Sequence, residues 1–168
     1  MASLDLRIEV DEDQDTFEGN ARKKATEIAA TAGVVCLADD SGLEVDALGG
    51  RPGVHSARYS GPEATDTRNN AKLLEELANV PAVRRTARFR CAIAVVGTNG
   101  ELLAETEGAC EGRIAHEPRG NHGFGYDPLF VPDGYERTMA ELGPKTKNAI
   151  SHRAEAAAAL VPLLRNRG

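Results

Sequence analysis

Two adjacent aspartates, Asp39 and Asp40, directly follow a short apolar run, Val34 to Ala38. Neighbouring carboxylates repel unless a positive charge stands by, and Mg²⁺, which prefers hard oxygen ligands, is the natural candidate. A solvated turn with side-chain capping fits the same letters equally well. The acidic stretch from Glu9 to Asp15 would supply another ligand, or is simply a wet loop. Lys24 falls seven residues after Phe17, in the middle of an apolar helix face. Its ammonium either snorkels to the helix edge or faces a polar cavity that takes a phosphate.

Two later segments add the remaining parts. In GNHGFGYDP, Gly120 to Pro128, the glycines let backbone approach a ligand. Phe124 and Tyr126 offer rings for a base, and Asp127 offers a carboxylate. The segment is neither a P-loop nor a dinucleotide fingerprint, and alone it reads equally as a tight structural turn. In KNAISHR, Lys147, His152 and Arg153 gather donors around a helix start, where free amides already favour anions. The plainer reading is a Ser151 N-cap with solvated neighbours. Together the four segments supply carboxylates, cations, rings and flexible backbone, the components of metal-assisted phosphoryl chemistry.

These residues must be held by an alternation of helices and strands. A helix is predicted from about Thr16 to Ala32, with Asp15 and Glu18 at capping-box spacing and Gly33 as its stop. Val34 to Ala38 reads as a buried strand ending in the acidic pair, followed by an irregular glycine-rich stretch. A helix follows near Asp66 to Ala78. Alternating Ala87, Phe89, Cys91, Ile93 and Val95 mark a strand, Asn99-Gly100 a hairpin turn, and Glu101 to Cys110 the returning strand. Leu129 to Val131 is a further strand. Thr138 and Glu141 cap a short helix stopped at Gly143-Pro144, and a last helix starts near Ser151 and is kinked or interrupted at Pro162. The pattern predicts an α/β fold with a mixed, twisted sheet flanked by helices.

At 168 residues and 41% apolar content, one domain spanning 1–168 with a sizeable core is expected. A net charge of −6 argues against a broad basic surface for a nucleic acid polymer, though not against a small anionic substrate held by local cations. No signal peptide and no apolar run of about 18 residues is visible, so neither secretion nor a membrane span is expected. Three widely spaced cysteines without a C-x-x-C pair argue for a reducing, cytoplasmic setting.

The strings TFEGNARKKA, ADDSGLEVDALGGRPGVHSARYSG, NNAKLL, RFRCAIAVV, GFGYDPLF, TMAEL and KNAISHR resemble the inosine triphosphate pyrophosphatase family, in the family's order and from about Asp11 onward. The resemblance implies an elongated two-lobed α/β fold. It also implies hydrolysis of non-standard purine nucleoside triphosphates (ITP, dITP, XTP) to monophosphate and pyrophosphate, with Mg²⁺, in a homodimer. Asp40 matches the family's catalytic acid and metal ligand, and Glu12 a second metal-associated glutamate. Lys24 matches a lysine near the phosphates and Ser41 a substrate contact. Phe124, Gly125, Tyr126 and Asp127 match the FGYD substrate segment. Lys147, His152 and Arg153 match the nucleotide-binding lysine and the His-Arg pair. Two departures stand out. The family's opening strand and [ST]-x-N-x-x-K loop are not found, so MASLDLRIEV is expected to begin at the second strand of an N-terminally truncated domain. Gly19 stands where the family often has glutamate. The alternative reading is a nucleotide-binding or dimerisation protein of the same fold with little or no catalysis. A Ser-His-Asp hydrolase using Ser41 lacks the G-x-S-x-G elbow.

Overall fold

The computed structural model describes residues 8–165. The strand expected near Met1 to Val10 lies largely outside them, and Ile8 to Val10 carry no regular structure. Eight elements follow in order: α1 (Phe17–Ala32), β1 (Cys36–Val45), α2 (Asp66–Glu76), β2 (Thr86–Val96), β3 (Leu102–Ile114), β4 (Phe130–Pro132), α3 (Met139–Ile150) and α4 (His152–Arg165). No helix among the described residues is long and apolar enough to cross a membrane.

The α/β class expected from sequence is the class the chain adopts. The sheet, in order β1-β2-β3-β4, is antiparallel at every pairing among the described residues rather than mixed. Parallel pairing would need the connection between β1 and β2 to cross a sheet face. Instead α2 packs beside the 3-10 turn at Gly53–Arg58, and the chain returns antiparallel. The hairpin at Asn99-Gly100 joins β2 to β3 as expected, with Gly100 at φ 81°.

Strand alternation sorts the core. Even-numbered residues of β2 (Ala92, Ala94, Val96) meet Phe17, Ala21, Ala25 and Ala29 of α1. The alanine stripe, wholly buried, lets the helix lie close to the sheet. Odd-numbered residues of β2 (Cys91, Ile93, Val95) meet Ala156 and Leu160 of α4 on the opposite face. A third and larger cluster, with Leu43, Leu73, Leu77, Leu129 and Phe130 at its centre, fills the space beyond the two helices. Each such fully buried side chain contributes about 1.5–3 kcal/mol. Buried Arg85 binds into this region by donating to Leu77 O at 2.7 Å, Val80 O at 3.0 Å and Ala115 O at 3.1 Å.

Local signals explain the element ends, with some shifts. The cap of α1 is Thr16, whose hydroxyl accepts from Gly19 N at 3.0 Å, one residue later than the Asp15–Glu18 spacing suggested. A Cβ at Gly19 would lie 2.9 Å from Gln14 Cβ, so the preceding loop occupies the space a side chain would take. β1 runs through Asp39-Asp40 to Val45, so the acidic pair lies mid-strand rather than at a strand end. Thr138 and Glu141 form the expected capping box, and Gly143 (φ 79°) breaks α3 into two turns-long pieces. Ser151 caps α4 by accepting from Ala154 N at 3.2 Å, and α4 runs through Pro162 uninterrupted.

Candidate active site

The register of β1 decides what each aspartate can do. Asp40 lies opposite Ala92 and Asp39 opposite Ile93, so the two carboxylates project from opposite sheet faces. They do not share one cation. Each has its own.

On the α1 face, Asp40 is buried and its Oδ1 accepts from Lys24 Nζ at 3.0 Å. The same ammonium donates to Glu12 Oε1 at 2.8 Å, so Lys24 bridges the two carboxylates. Its place on the apolar face of α1 thus has a polar reason: it reaches a charged cluster, not the helix edge. One turn earlier on α1, Asn20 is completely buried and donates to Asp40 Oδ2 at 3.2 Å. Its own Oδ1 accepts from Gln14 N at 3.0 Å, which fastens the Glu12 loop beside Asp40. Arg58 donates to Glu12 O at 2.8 Å and approaches its carboxylate at 3.6 Å.

Burial pushes the Asp40 carboxyl above its ordinary range; the Glu12 charge adds to this, and Lys24 and Asn20 pull the other way. Burial works against the Lys24 ammonium, yet its bonds to Glu12 and Asp40 hold it above its usual value. The cluster therefore combines a carboxylate of enhanced basicity with a fixed positive charge. Among the described residues no three carboxylate, imidazole or thiol groups converge as a ready metal cage. Two carboxylates around one cation nevertheless suit Mg²⁺, which takes one or two protein carboxylates and completes its shell with phosphate oxygens and water.

Ser41, the next residue, lines a cavity of about 210 Å³ together with Phe124, Gly125, Tyr126, Asp127, Lys147, His152 and Arg153. This volume is below the range of pockets that enclose whole drug-sized ligands and matches a part of one, such as a base. Phe124 leaves 61% of its surface exposed and forms an open wall. Lys147 Nζ stands 4.3 Å from the centre of its ring, and the Arg153 guanidinium 5.8 Å. Tyr126, in contrast, is buried and donates to Ser56 O at 2.8 Å, so its ring is wall and core rather than a free stacking platform.

Asp127, also buried, accepts from Phe124 N at 3.0 Å and from Lys147 Nζ. It braces the pocket and does not reach the Asp40 cluster among these contacts. Gly123 makes room for it: at φ 79°, a Cβ there would come within 1.9 Å of Asp127 Oδ2. His152 is buried and stacked on Phe89, ring centres 5.0 Å apart, with Nδ1 lacking a hydrogen-bond partner among the described residues. Burial, with Arg153 and Lys147 nearby, brings its pKa down to about 3, so the ring facing the pocket is neutral. Arg153 donates from Nε to Asp39 Oδ2 at 3.0 Å, and Ser41 Oγ donates to the same oxygen at 3.3 Å.

The structure thus gathers the sequence-predicted residues into two groups joined at Asp40-Ser41. Glu12, Lys24 and Asp40 form one, and the remaining eight line the cavity. Sequence reasoning missed Asn20, Asp39 as the partner of Arg153, and Phe89, Asp66 and Asn69 as cavity walls. Asn20 was accessible in principle, because it precedes Lys24 by one helical turn and so shares its face.

A sequence model of the Ham1 family matches residues 1–163. The protein named dITP/XTP pyrophosphatase in Desulforamulus reducens is 56% identical over 148 residues, covering 88% of this chain and 73% of the relative. The protein of the same name in Bacillus subtilis is 49% identical over 164 residues, covering 98% and 82%. The solved HAM1 protein of Coxiella burnetii superposes with a TM-score of 0.88 at 44% identity, over 95% of this chain and 81% of that one. The Staphylococcus aureus Ham1 protein gives 0.89 at 40%, over 96% and 82%. On the match of sequence and fold over nearly its whole length, the chain belongs to the Ham1 family.

Proposed function

We propose that the chain hydrolyses non-standard purine nucleoside triphosphates, of the ITP, dITP and XTP type, to the monophosphate and pyrophosphate. The single observation that carries this reading is the continuity of β1 at Asp40-Ser41. One residue sits in a carboxylate–ammonium cluster suited to a triphosphate, and the next lines a base-sized cavity. The dITP/XTP pyrophosphatase names of the relatives support the same substrate class.

In this reading Asp40 accepts the proton of a water molecule as that water attacks the α-phosphorus. The α–β bridging P–O bond breaks and pyrophosphate departs. Lys24 offsets the negative charge that accumulates on the phosphate oxygens. Asn20 keeps the Asp40 carboxylate aimed. Glu12 and Asp40 are the residues that would hold Mg²⁺, which when bound neutralises the triphosphate and polarises its oxygens.

The cavity supplies selectivity. A 6-keto purine presents acceptors at O6 and N7, whereas adenine presents an amino donor at position 6. Arg153, anchored through Nε to Asp39, keeps its terminal NH₂ groups for such acceptors, and the neutral His152 ring adds a hydrogen-bonding edge. Phe124 stacks on the base, with Lys147 and Asp127 holding it in place. The accompanying assembly is a cytoplasmic homodimer, supported by the family resemblance, and light scattering would show about twice 17.9 kDa.

The test is pyrophosphate release from ITP, dITP and XTP with Mg²⁺, beside ATP and GTP. Selective release from the first three is expected. Nucleotide binding without release would favour the binding-only reading, and orthophosphate as product would refute pyrophosphatase chemistry.

A further inference from the structure

The first turn of α2 grips the Phe124 wall of the cavity through the backbone of a single residue. Asp66 Oδ2 accepts from Gly125 N at 2.7 Å, and Asn70 Nδ2 donates to Gly125 O at 2.9 Å. Asp66 and Asn70 are one helical turn apart and so present neighbouring side chains to the same target. Asn70 is buried, and its other amide atom, Oδ1, meets no donor among the described residues. Among the described residues, Gly125 is therefore the one hydrogen-bond partner of that side chain. Between them in sequence, Asn69 ties down the segment carrying Ala57, another lining residue: its Oδ1 accepts from Ser60 N at 2.8 Å, and its amide donates to Ala57 O at 3.0 Å.

Phe124 itself has little packing to fix it, being 61% exposed. Besides the Lys147 and Arg153 cations over its ring, its backbone is pinned on one side by Asp127 at Phe124 N and on the other by α2 at Gly125.

We infer that Asp66 and Asn70 are positioning residues that hold the Phe124–Gly125 wall at stacking distance from the purine, so that α2 sets the width of the base site. This rests on the proposal that the cavity takes the base. The predicted consequence is specific. Loosening Gly125 weakens nucleotide binding and selectivity while leaving the Asp40 cluster intact.

The experiment compares wild type with Asp66→Ala, Asn70→Ala and Asp66→Asn. Its readouts are KM and kcat for ITP and ATP, ITP affinity by calorimetry, and amide hydrogen exchange over residues 120–128. Loss of either grip is expected to raise KM and the ITP Kd about tenfold, as for one hydrogen bond to a charged or buried group. kcat stays within about twofold, the ITP-over-ATP preference narrows, and exchange at 120–128 quickens. Asp66→Asn retains an acceptor oxygen for Gly125 N and restores affinity. Faster exchange with unchanged KM and Kd would overturn the inference, as would unchanged exchange, or kcat falling as far as affinity. If wild type binds ITP but releases no pyrophosphate, the proposed activity fails. Exchange and calorimetry would still decide the role of α2.

Discussion

Acid stability gives a direct test of how His152 is buried. In water a histidine titrates near 6.5, whereas here burial first, and then the charges of Arg153 and Lys147, bring the ring down to about 3, with Asp39 pulling the other way. Between those two values the unfolded chain binds a proton at this ring that the folded chain does not. Stability therefore rises with pH across this window and is lost as pH falls through it. Well below the unfolded value each pH unit costs about 1.4 kcal/mol, so acidification from pH 7.5 to 4.5 removes roughly 2.7 kcal/mol through this one ring. The full loss of about 5 kcal/mol accrues only near pH 3. Other groups titrate in the same range, so the measurement is a difference. Urea unfolding of wild type and His152→Gln is compared at pH 7.5, 6.5, 5.5 and 4.5. His152→Gln forfeits stacking on Phe89 and is less stable at pH 7.5, but its deficit shrinks by about 2–3 kcal/mol at pH 4.5. Parallel curves for the two proteins would refute the neutral, buried ring. A gap that widens on acidification would mean that the folded state prefers the imidazolium.

Asp40→Asn keeps the shape of the side chain and its bond to Lys24, yet cannot take a proton. kcat for ITP should fall a hundredfold or more, with little change in melting temperature; activity near wild type would remove Asp40 from the reaction. Asp39→Asn should behave differently, because Asp39 anchors Arg153 and Ser41. Selectivity for ITP over ATP should narrow in steady-state assays while kcat changes less than in Asp40→Asn. Gly123→Ala places a methyl group 1.9 Å from Asp127 Oδ2 and holds alanine at φ 79°. The backbone and the overpacking together should cost about 2–5 kcal/mol and raise KM, read by thermal melting and kinetics. Leu73→Ala, in the centre of the largest core cluster, should cost about 2–5 kcal/mol in urea unfolding.

Much of the fold was legible because its signals are local. The alanine stripe of α1, the Asn99-Gly100 hairpin, the Thr138–Glu141 capping box and the Ser151 cap are all set by residues within a turn or two of one another. β1 was read too short because Asp39-Asp40-Ser41-Gly42 has the composition of a loop. The odd-numbered spacing of Leu37, Leu43 and Val45 held the missing strand signal. The candidate site was legible as a set of residue types and not as contacts. Lys24 drew attention by being charged on an apolar face, whereas Asn20, one turn away, is an uncharged amide whose importance shows only once it is buried against Asp40. Asp66 and Asn70 meet Gly125 across 59 and 55 residues, a closure that no local pattern encodes. His152 read either as a donor at a helix start or as a solvated neighbour of the Ser151 cap, and its burial comes with stacking on Phe89, a residue of β2 on the same sheet face as Ile93.

The alternation of one strand resolves what the sequence left as a conflict. Read as a string, Asp39-Asp40 poses two like charges in search of one cation. In the pleated strand they belong to different environments. Asp40 enters the α1 layer, where Lys24 and Asn20 hold it; its raised pKa and the adjacent Glu12 suit it to proton transfer and metal binding. Asp39 enters the α4 layer, where it orients Arg153 and Ser41 at the cavity. A single residue step along β1 thus separates the proposed phosphate chemistry from the proposed base recognition by the thickness of the sheet. It also fixes their spacing, because a strand paired along its length to β2 cannot slip by one residue without exchanging the two carboxylates between faces.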